Sequence, residues 1–290
     1  PMPPTILFDR RQLRRQRDRA ARADAPDFLL REAAARLADR LDDITRPFPL
    51  ALDLGAHHGL LAETLAQHPR IGTLISAEPS SRQLALCPSP KLQADEEFLP
   101  FAPGSLDAVF SLLSLHWVND LPGTLAQIER ALKPDGLFLA ILPGAATLHE
   151  LRDSLTHAET SLSGGLRPRV IPFVDVRDAG SLLQRAGFAL PVVDSDILTV
   201  SYPDPFALMH ELRAMGEANA LAGRPRHFAP RRLLLEAAAH YAATYADAEG
   251  RITASVEFLT LTAWKRADSQ PQPAKRGSGK LSLAAALTGH

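Results

Sequence analysis

A glycine-containing loop follows a short apolar run in the first quarter of the chain. The run Leu50–Leu54, which includes Asp53, ends at Gly55, and Gly59 stands just before a segment of helical composition. This order predicts a buried strand that passes through a tight turn into a helix. Ligands bind at the carboxyl ends of strands in such sheets, so we expect Asp53 to accept hydrogen bonds from a cationic or hydroxylated ligand. A purely structural turn would carry the same two glycines.

Carboxylates also follow the next two predicted strands. Glu78 ends the second strand, and Asp95 and Glu96 follow the third. An acidic residue about 20 residues after such a loop can hold both ribose hydroxyls of a nucleoside. A carboxylate after the third strand can accept a hydrogen bond from an adenine amino group. Together with the glycine loop, these residues predict a nucleoside pocket.

Polar and aromatic residues follow the fourth predicted strand, where a substrate could reach the pocket. His116 could act as a general base or as an orienting donor. Trp117 could stack on a planar guanidinium, and Asp120 would be the natural charge partner of an arginine. The structural alternatives are that Trp117 belongs to the core and that Asn119 or Asp120 caps the helix beginning near Pro122.

Histidines recur in two places, but neither pattern predicts a metal site. His149, Asp153 and His157 would share one face of a helix, which is more typical of a solvated face than of a ligand set. His57 and His58 are adjacent, so their side chains point in different directions. We therefore expect no metal ion.

Composition and charge limit the classes of function. The 290 residues are 46% hydrophobic and 22% charged, as in globular proteins, and no apolar run approaches the length of a membrane span. The single cysteine excludes an intramolecular disulfide. The net charge is −1, yet both ends are basic and the middle is acidic. This distribution argues against nucleic-acid binding. It allows at most peripheral membrane association, and we expect a cytoplasmic location.

The elements that must position these residues alternate between strands and helices. Strands are predicted at 50–54, 73–77, 92–94, 108–113, 137–142, 192–200 and 256–264, and helices at 10–22, 27–41, 60–68, 121–132, 147–160, 175–186, 205–222 and 230–245. Such alternation predicts an α/β, doubly wound and mostly parallel sheet. We divide the chain into a basic helical arm (1–44), a ligand-binding core (45–145), the rest of the sheet with a helical cap (146–264) and a loose basic tail (265–290).

The core resembles the class I S-adenosylmethionine-dependent methyltransferases over about residues 45–145. The matching positions are Asp53–Gly59, Glu78, Asp95–Glu96 with Leu99–Phe101, Phe110–Leu115 and Leu132–Gly136. The resemblance implies a seven-stranded Rossmann-like fold and S-adenosylmethionine as cofactor, with S-adenosylhomocysteine as product. It implies that Gly55 and Gly59 lie near the methionine part, Glu78 at the ribose, and Asp95, with Glu96, near the adenine. The family's usual third loop glycine is replaced by His57, whose side chain would crowd the cofactor.

A longer resemblance covers nearly the whole chain. It is carried by Phe8–Arg10, Ala51–Gly55, Asp95–Phe101, Ser114–Pro122, Glu150–Arg152, Gly187–Phe188, Met215–Glu217 and Arg276–Ser278. These strings are similar to those of the complex I assembly factors that hydroxylate an arginine of an iron–sulfur subunit. A weaker resemblance is to the malonyl-carrier-protein O-methyltransferases of the biotin pathway.

Three hypotheses follow from these resemblances. The first is an S-adenosylmethionine-binding enzyme that hydroxylates an arginine of a complex I iron–sulfur subunit, its protein partner. Such a reaction also calls for an oxygen-activating cofactor, which the residues do not identify. The second is a conventional methyltransferase acting on a carboxylate or a small molecule. The third is an assembly chaperone without catalytic turnover, since fold does not settle the reaction.

Overall fold

The computed structural model describes residues 6–22, 25–163, 165 and 167–271. Their helices are α1 (Arg10–Ala20), α2 (Phe28–Asp42), α3 (Leu60–Thr64), α4 (Ser81–Leu86), α5 (Leu121–Ala131), α6 (His149–Ser163), α7 (Val176–Arg185), α8 (Pro205–Met215) and α9 (Arg231–Tyr245). Their strands are β1 (Phe48–Leu54), β2 (Ile71–Ala77), β3 (Lys91–Leu92), β4 (Leu106–Leu112), β5 (Leu132–Pro143), β6 (Ala189–Tyr202) and β7 (Ile252–Trp264). Most of the predicted basic tail, from residue 272 onward, lies outside the described residues.

The seven strands form one sheet in the order β3-β2-β1-β4-β5-β7-β6. Strands β1 to β5 pair in parallel, and β7 runs antiparallel to both of its neighbours. The prediction of a doubly wound, mostly parallel sheet is therefore confirmed. The strand order reverses between β1 and β4, and the crevice at such a reversal is where ligands bind in open α/β sheets.

Alternating side chains of the strands fill the two sides of the sheet. In β5, Phe138, Ala140 and Leu142 pack with α5 and α7, whereas Leu137, Leu139 and Ile141 pack with α2 and α3 on the opposite face. This period of two is what a strand buried on both faces requires. A separate apolar cluster joins α6, α8 and α9 to the start of β7, and we call these three helices the helical cap. None of the helices in the described segments is long and apolar enough to cross a membrane.

The element boundaries differ from the predicted ones where pairing or a cap decides them. Strand β5 begins at Leu132 because that residue pairs with Leu106, so residues 133–136, which lie between a predicted helix and a predicted strand, belong to the strand. Strand β7 begins at Ile252 because it pairs with the end of β6. Helix α8 stops at Met215, where Gly216 takes a φ of +87° and ends the helix.

Helix α1 docks on the rest of the fold instead of projecting from it. Asp9 caps its first turn by accepting a hydrogen bond from the Gln12 amide at 3.0 Å. The backbone just before α1 is also held in place, because Asn119 Oδ1 accepts hydrogen bonds from the amides of Leu7 and Phe8 at 2.8 and 2.7 Å. The helix buries Leu13, Gln16, Arg17 and Ala20. An arginine is thus placed inside the protein.

Candidate functional site

The glycine loop has the tight strand-to-helix geometry that the sequence predicts. Gly55 and Gly59 have φ angles of +74° and +89°. A Cβ on Gly55 would lie 2.1 Å from Ser114 Oγ, and one on Gly59 would lie 2.8 Å from Pro88 Cδ. Both positions therefore require glycine for backbone conformation and for close approach.

Glu78 lies directly beside this loop at the carboxyl end of β2. Its carboxylate accepts hydrogen bonds from the His57 amide at 3.0 Å and the Ser80 amide at 2.9 Å, and it is fully buried. Burial raises the pKa of Glu78, and the Arg17 guanidinium opposes that rise. Glu78 is therefore a fixed acceptor at the edge of the sheet where the sequence predicts the ribose.

The guanidinium of Arg17 connects the predicted cofactor residues. Its Nη1 lies 2.9 Å from Glu96 Oε1 and 3.3 Å from Glu78 Oε1, and its Nη2 donates to Ser114 Oγ at 2.8 Å. The side chain is 1% exposed. Burial alone would lower the pKa of Arg17, but the two carboxylates raise it above its ordinary value. Arg17 is a fully charged cation held between two buried carboxylates.

A second arginine of α1 holds the residues after β3. Arg10 Nη2 donates to Asp95 Oδ1 at 2.6 Å and also contacts Glu96, to which Ser114 Oγ donates at 2.6 Å. Burial opposes ionisation of Glu96, yet the two guanidinium groups hold its pKa far below the ordinary range. The carboxylates that the resemblance assigns to the adenine thus contact α1 here.

Neither Arg10, which the sequence showed only within the Phe8–Arg10 string, nor Arg17 was predicted as a site residue. Residues 1–22 contain seven arginines, and this composition predicted only a basic helical arm. The signal that singles out Arg17 is its spacing from Leu13 and Ala20, because positions i, i+4 and i+7 share one helix face. Apolar residues on either side of one arginine on that face mark it as buried.

Asp53 is the buried carboxylate whose partner is missing from the described residues. It is 1% exposed, and neither carboxylate oxygen accepts a hydrogen bond from them. Burial, assisted by the nearby charge of Glu78, raises the pKa of Asp53 to about 8. Buried carboxylates without partners are costly. An orphaned one beside a glycine loop fits a ligand that brings a cationic group or a hydroxyl.

This shift predicts how stability depends on pH. The pKa of Asp53 rises from 3.8 to about 8 on folding. Its contribution to the free energy of unfolding is therefore favourable below pH 3.8 and is lost as the pH rises towards 8. Relative to wild type, the Asp53→Asn variant should gain stability over that window, by up to about 1.4 kcal/mol per pH unit. Urea unfolding without ligand, near pH 5 and near pH 7, measures the difference.

The exposed Asp39, on α2, supplies the control. The free energy of unfolding of Asp39→Asn should differ from that of wild type by the same amount at both pH values. If the free energy of unfolding of Asp53→Asn also differs from that of wild type by the same amount at both pH values, Asp53 is ionised at both, and the account of its burial is wrong.

His57 occupies the loop position where the methyltransferase pattern has glycine. Its φ is +50°, in the left-handed region, and its Nε2 lies 3.0 Å from the Leu112 carbonyl oxygen. Burial, together with the charge of Arg17, lowers its pKa to about 4, so the ring is neutral at pH 7. The ring is hydrogen-bonded to the end of β4 and lines a neighbouring cavity.

That cavity, of about 260 Å³, lies between the sheet edge and the helical cap. Its walls are mainly apolar and include Leu30, Leu151, Phe173, Met209 and Met215. A concave apolar cavity with a few convergent polar groups is the usual form of a small-molecule or side-chain binding site. It is therefore the candidate substrate site.

Three polar residues of the cavity wall contact one another. Glu217 Oε2 accepts a hydrogen bond from Trp117 Nε1 at 2.8 Å and lies 3.3 Å from His116 Nε2. Trp117 is 2% exposed and packs edge-on against Phe8, with the ring centroids 5.3 Å apart. The sequence placed His116 and Trp117 beside the substrate. It gave no role to Glu217, which was visible only as part of the Met215–Glu217 string.

Asp120 caps a helix, as the structural alternative predicts. Its Oδ1 accepts a hydrogen bond from the Gly123 amide at 2.9 Å and caps α5. It is exposed, and the cavity wall built by the described residues does not include it. Within those same segments no three His, Cys, Asp or Glu residues are grouped so that they could hold a metal ion.

Comparison with known proteins assigns the family. The methyltransferase-domain profile matches residues 52–140. Human mitochondrial arginine-hydroxylase NDUFAF5 is 44% identical over 285 residues, which is 96% of this chain and 82% of that protein. The chain belongs to the NDUFAF5 arginine-hydroxylase family. The rat NDUFAF5 protein is 43% identical over the same shares of both chains.

A second group of relatives is less similar to this chain than NDUFAF5 is. The malonyl-[acyl-carrier protein] O-methyltransferase of Halorhodospira halophila is 34% identical and covers 89% of this chain and 88% of its own. Among solved structures, the YcgJ protein of Bacillus subtilis superposes with a TM-score of 0.56 at 16% identity, covering 80% of this chain and 98% of its own. That likeness concerns the fold, which is the Rossmann-like methyltransferase fold.

Proposed function

We propose that this protein binds S-adenosylmethionine and hydroxylates an arginine of a complex I iron–sulfur subunit during assembly of the complex. The observation that carries the proposal is the 44% identity to human arginine-hydroxylase NDUFAF5 along 96% of the chain. The geometry supports it with an apolar cavity whose wall includes an ionised carboxylate, Glu217, and the loop residue His57. A guanidinium is a natural ligand for such a carboxylate.

The residues at the sheet edge fit S-adenosylmethionine. Glu78 is a fixed, buried acceptor for the ribose hydroxyls, and the two orphaned oxygens of Asp53 suit a cationic ligand group. Asp95 and Glu96 would hold the adenine, and the loop turns tightly beside them, with Gly55 packed against Ser114 and Gly59 against Pro88. When bound, this cofactor supplies a methyl group on a sulfonium. Since Arg17 contacts Glu78 and Glu96, and Arg10 contacts Asp95 and Glu96, nucleoside binding requires both guanidinium groups to share or release these contacts.

Hydroxylation replaces a carbon–hydrogen bond of the arginine side chain with a carbon–oxygen bond. Dioxygen is the oxidant: one of its atoms enters the arginine as a hydroxyl group. The other leaves as water after accepting two electrons and two protons from a reductant of the cell. In this reaction the chain's own residues bind and orient the arginine and exclude water from it with the apolar wall of the cavity.

Mass spectrometry of the iron–sulfur subunit tests the proposal. Host cells with complex I would be compared with and without the gene for this protein, and with the gene carrying Glu78→Ala. We expect one added oxygen atom on an arginine only with the wild-type gene. An unmodified subunit in all three strains would overturn the proposal. Normal assembly with Glu78→Ala but not without the gene would favour a chaperone.

A second function is favoured by one observation. The 34% identity to the malonyl-carrier-protein methyltransferase extends over 89% of the chain. On that basis the cavity would take a carboxylated acyl chain, and the product would carry an added methyl group. The ionised Glu217 argues against a carboxylate substrate, since like charges repel in a cavity of low polarity.

A further inference from the structure

Glu217 is one of two carboxylates among the described residues of the cavity wall. Its side chain is 24% exposed, and its Oε2 atom receives the hydrogen bond from Trp117 Nε1 and faces His116 Nε2. Burial disfavours the charge, but the hydrogen bond and charge of His116 outweigh it and lower the pKa of Glu217. The carboxylate is therefore ionised at pH 7.

One oxygen of this carboxylate is open. In the described part of the chain, no donor is hydrogen-bonded to Glu217 Oε1, and the carboxylate has no arginine or lysine within ion-pair distance. The other carboxylate of the cavity wall, Asp27, is paired with Arg31 at 2.6 Å. Arg169, a cation of the wall, is paired with Glu159. In the described residues the contacts of Glu217, to Trp117 at 2.8 Å and to His116 at 3.3 Å, both use Oε2, so Oε1 stays available to a ligand.

The position of Glu217 is fixed by packing on both sides. Trp117, its main donor, is buried against Phe8. The backbone just before Glu217 turns at Gly216, where an added Cβ would lie 3.1 Å from Ala20 Cβ of α1. The close contact between α1 and this turn therefore places the carboxylate. A preorganised carboxylate loses little entropy when a guanidinium binds.

We propose that Glu217 is the specificity-determining residue that binds the guanidinium of the substrate arginine, with Trp117 and His116 as its positioning residues. This inference rests on the proposed function. The apolar wall suits the methylene stem of an arginine, and the carboxylate suits its charged head. Trp117 acts through its indole N–H toward Glu217, because its ring is too buried to stack on a ligand.

Selective binding of an arginine probe tests the role without requiring turnover. The probes are N-acetyl-arginine-N-methylamide and its citrulline counterpart, which has nearly the same shape but no charge. Wild type should bind the arginine probe at least tenfold more tightly, and Glu217→Gln should remove that preference. Because glutamine still offers an oxygen to Trp117 Nε1, the variant should fold. Binding is followed through the indole N–H resonance of Trp117 by nuclear magnetic resonance.

Asp27→Asn is the matched control, since Asp27 lines the same cavity and is also 24% exposed. It should keep the preference for the arginine probe. If Glu217→Gln keeps it as well, the inference is wrong. If Asp120→Asn loses it, the guanidinium site belongs to Asp120 and the inference is wrong.

The same variants in cells separate this inference from the proposed function. With Glu217→Gln, the modified fraction of the subunit arginine should fall at least tenfold, while the affinity for S-adenosylmethionine stays at the wild-type value. Full modification with Glu217→Gln would refute the role of Glu217 and leave the proposed function standing. Absence of modification with wild type would refute the proposed function, whereas the probe experiment would still decide the role of Glu217.

Discussion

Replacing Arg17 with methionine is expected to lower the free energy of unfolding by about 3 kcal/mol. Methionine keeps the apolar stem but removes the charge that lies between Glu78 and Glu96. Removing one partner of a buried ion pair costs about 3–5 kcal/mol, because the remaining charge is left uncompensated. We expect the lower end, since Arg10 still contacts Glu96. Urea unfolding near pH 7 measures the change.

Arg14 provides the control on the same helix. It is 49% exposed and lies 3.9 Å from Asp95, so Arg14→Met should cost less than about 1 kcal/mol. The loss in Arg17→Met should also shrink as the pH falls below 4.5, the ordinary pKa of the Glu96 carboxyl group. The reason is that a carboxylate with a lowered pKa stabilises the fold above that value and loses the contribution below it. Equal losses in the two variants would contradict a buried ion cluster.

Replacing Glu78 with alanine is expected to weaken S-adenosylmethionine binding about 10- to 100-fold. A hydrogen bond to a charged group contributes about 1.5–3 kcal/mol, and each 1.4 kcal/mol corresponds to a factor of ten in affinity. Glu78 also accepts two backbone amides of the loop region, at 2.9 and 3.0 Å. Isothermal titration calorimetry with S-adenosylmethionine and S-adenosylhomocysteine measures the affinity.

Two further variants keep this prediction interpretable. Glu78→Gln retains an acceptor for the loop amides and should fold, yet it should also bind the cofactor more weakly. Glu63→Ala removes an exposed carboxylate from α3 just after the loop and should bind normally. Unchanged affinity in both Glu78 variants would contradict the assignment of this residue to the ribose.

The sheet and the glycine loop could be predicted because local rules specify them. Alternation of strands and helices fixed the doubly wound topology, and Gly55 and Gly59 marked a turn that no other residue fits. The carboxylates Glu78, Asp95 and Glu96 could be placed together for the same reason, since each follows a strand on one edge of the sheet. Helix α4 escaped prediction because it has only six residues, with a single buried side chain.

The contacts of α1 and of Glu217 could not be predicted because they depend on docking of distant segments. Arg17 meets Ser114 across 97 positions of the chain, and Glu217 meets Trp117 across 100. No local pattern states that a basic helix will insert one arginine between two strand ends. For Asp120, the local rule of helix capping was the better guide, because its carboxylate accepts the Gly123 amide.

The fate of two isotopic labels tests the central claim most directly. Cells that make this protein and complex I would be grown with labelled dioxygen and with methionine labelled in its methyl group. The iron–sulfur subunit would then be digested and its arginines examined by mass spectrometry. Hydroxylation predicts one labelled oxygen atom on a single arginine, with no labelled methyl group. A labelled methyl group on the subunit, or neither label, would contradict it.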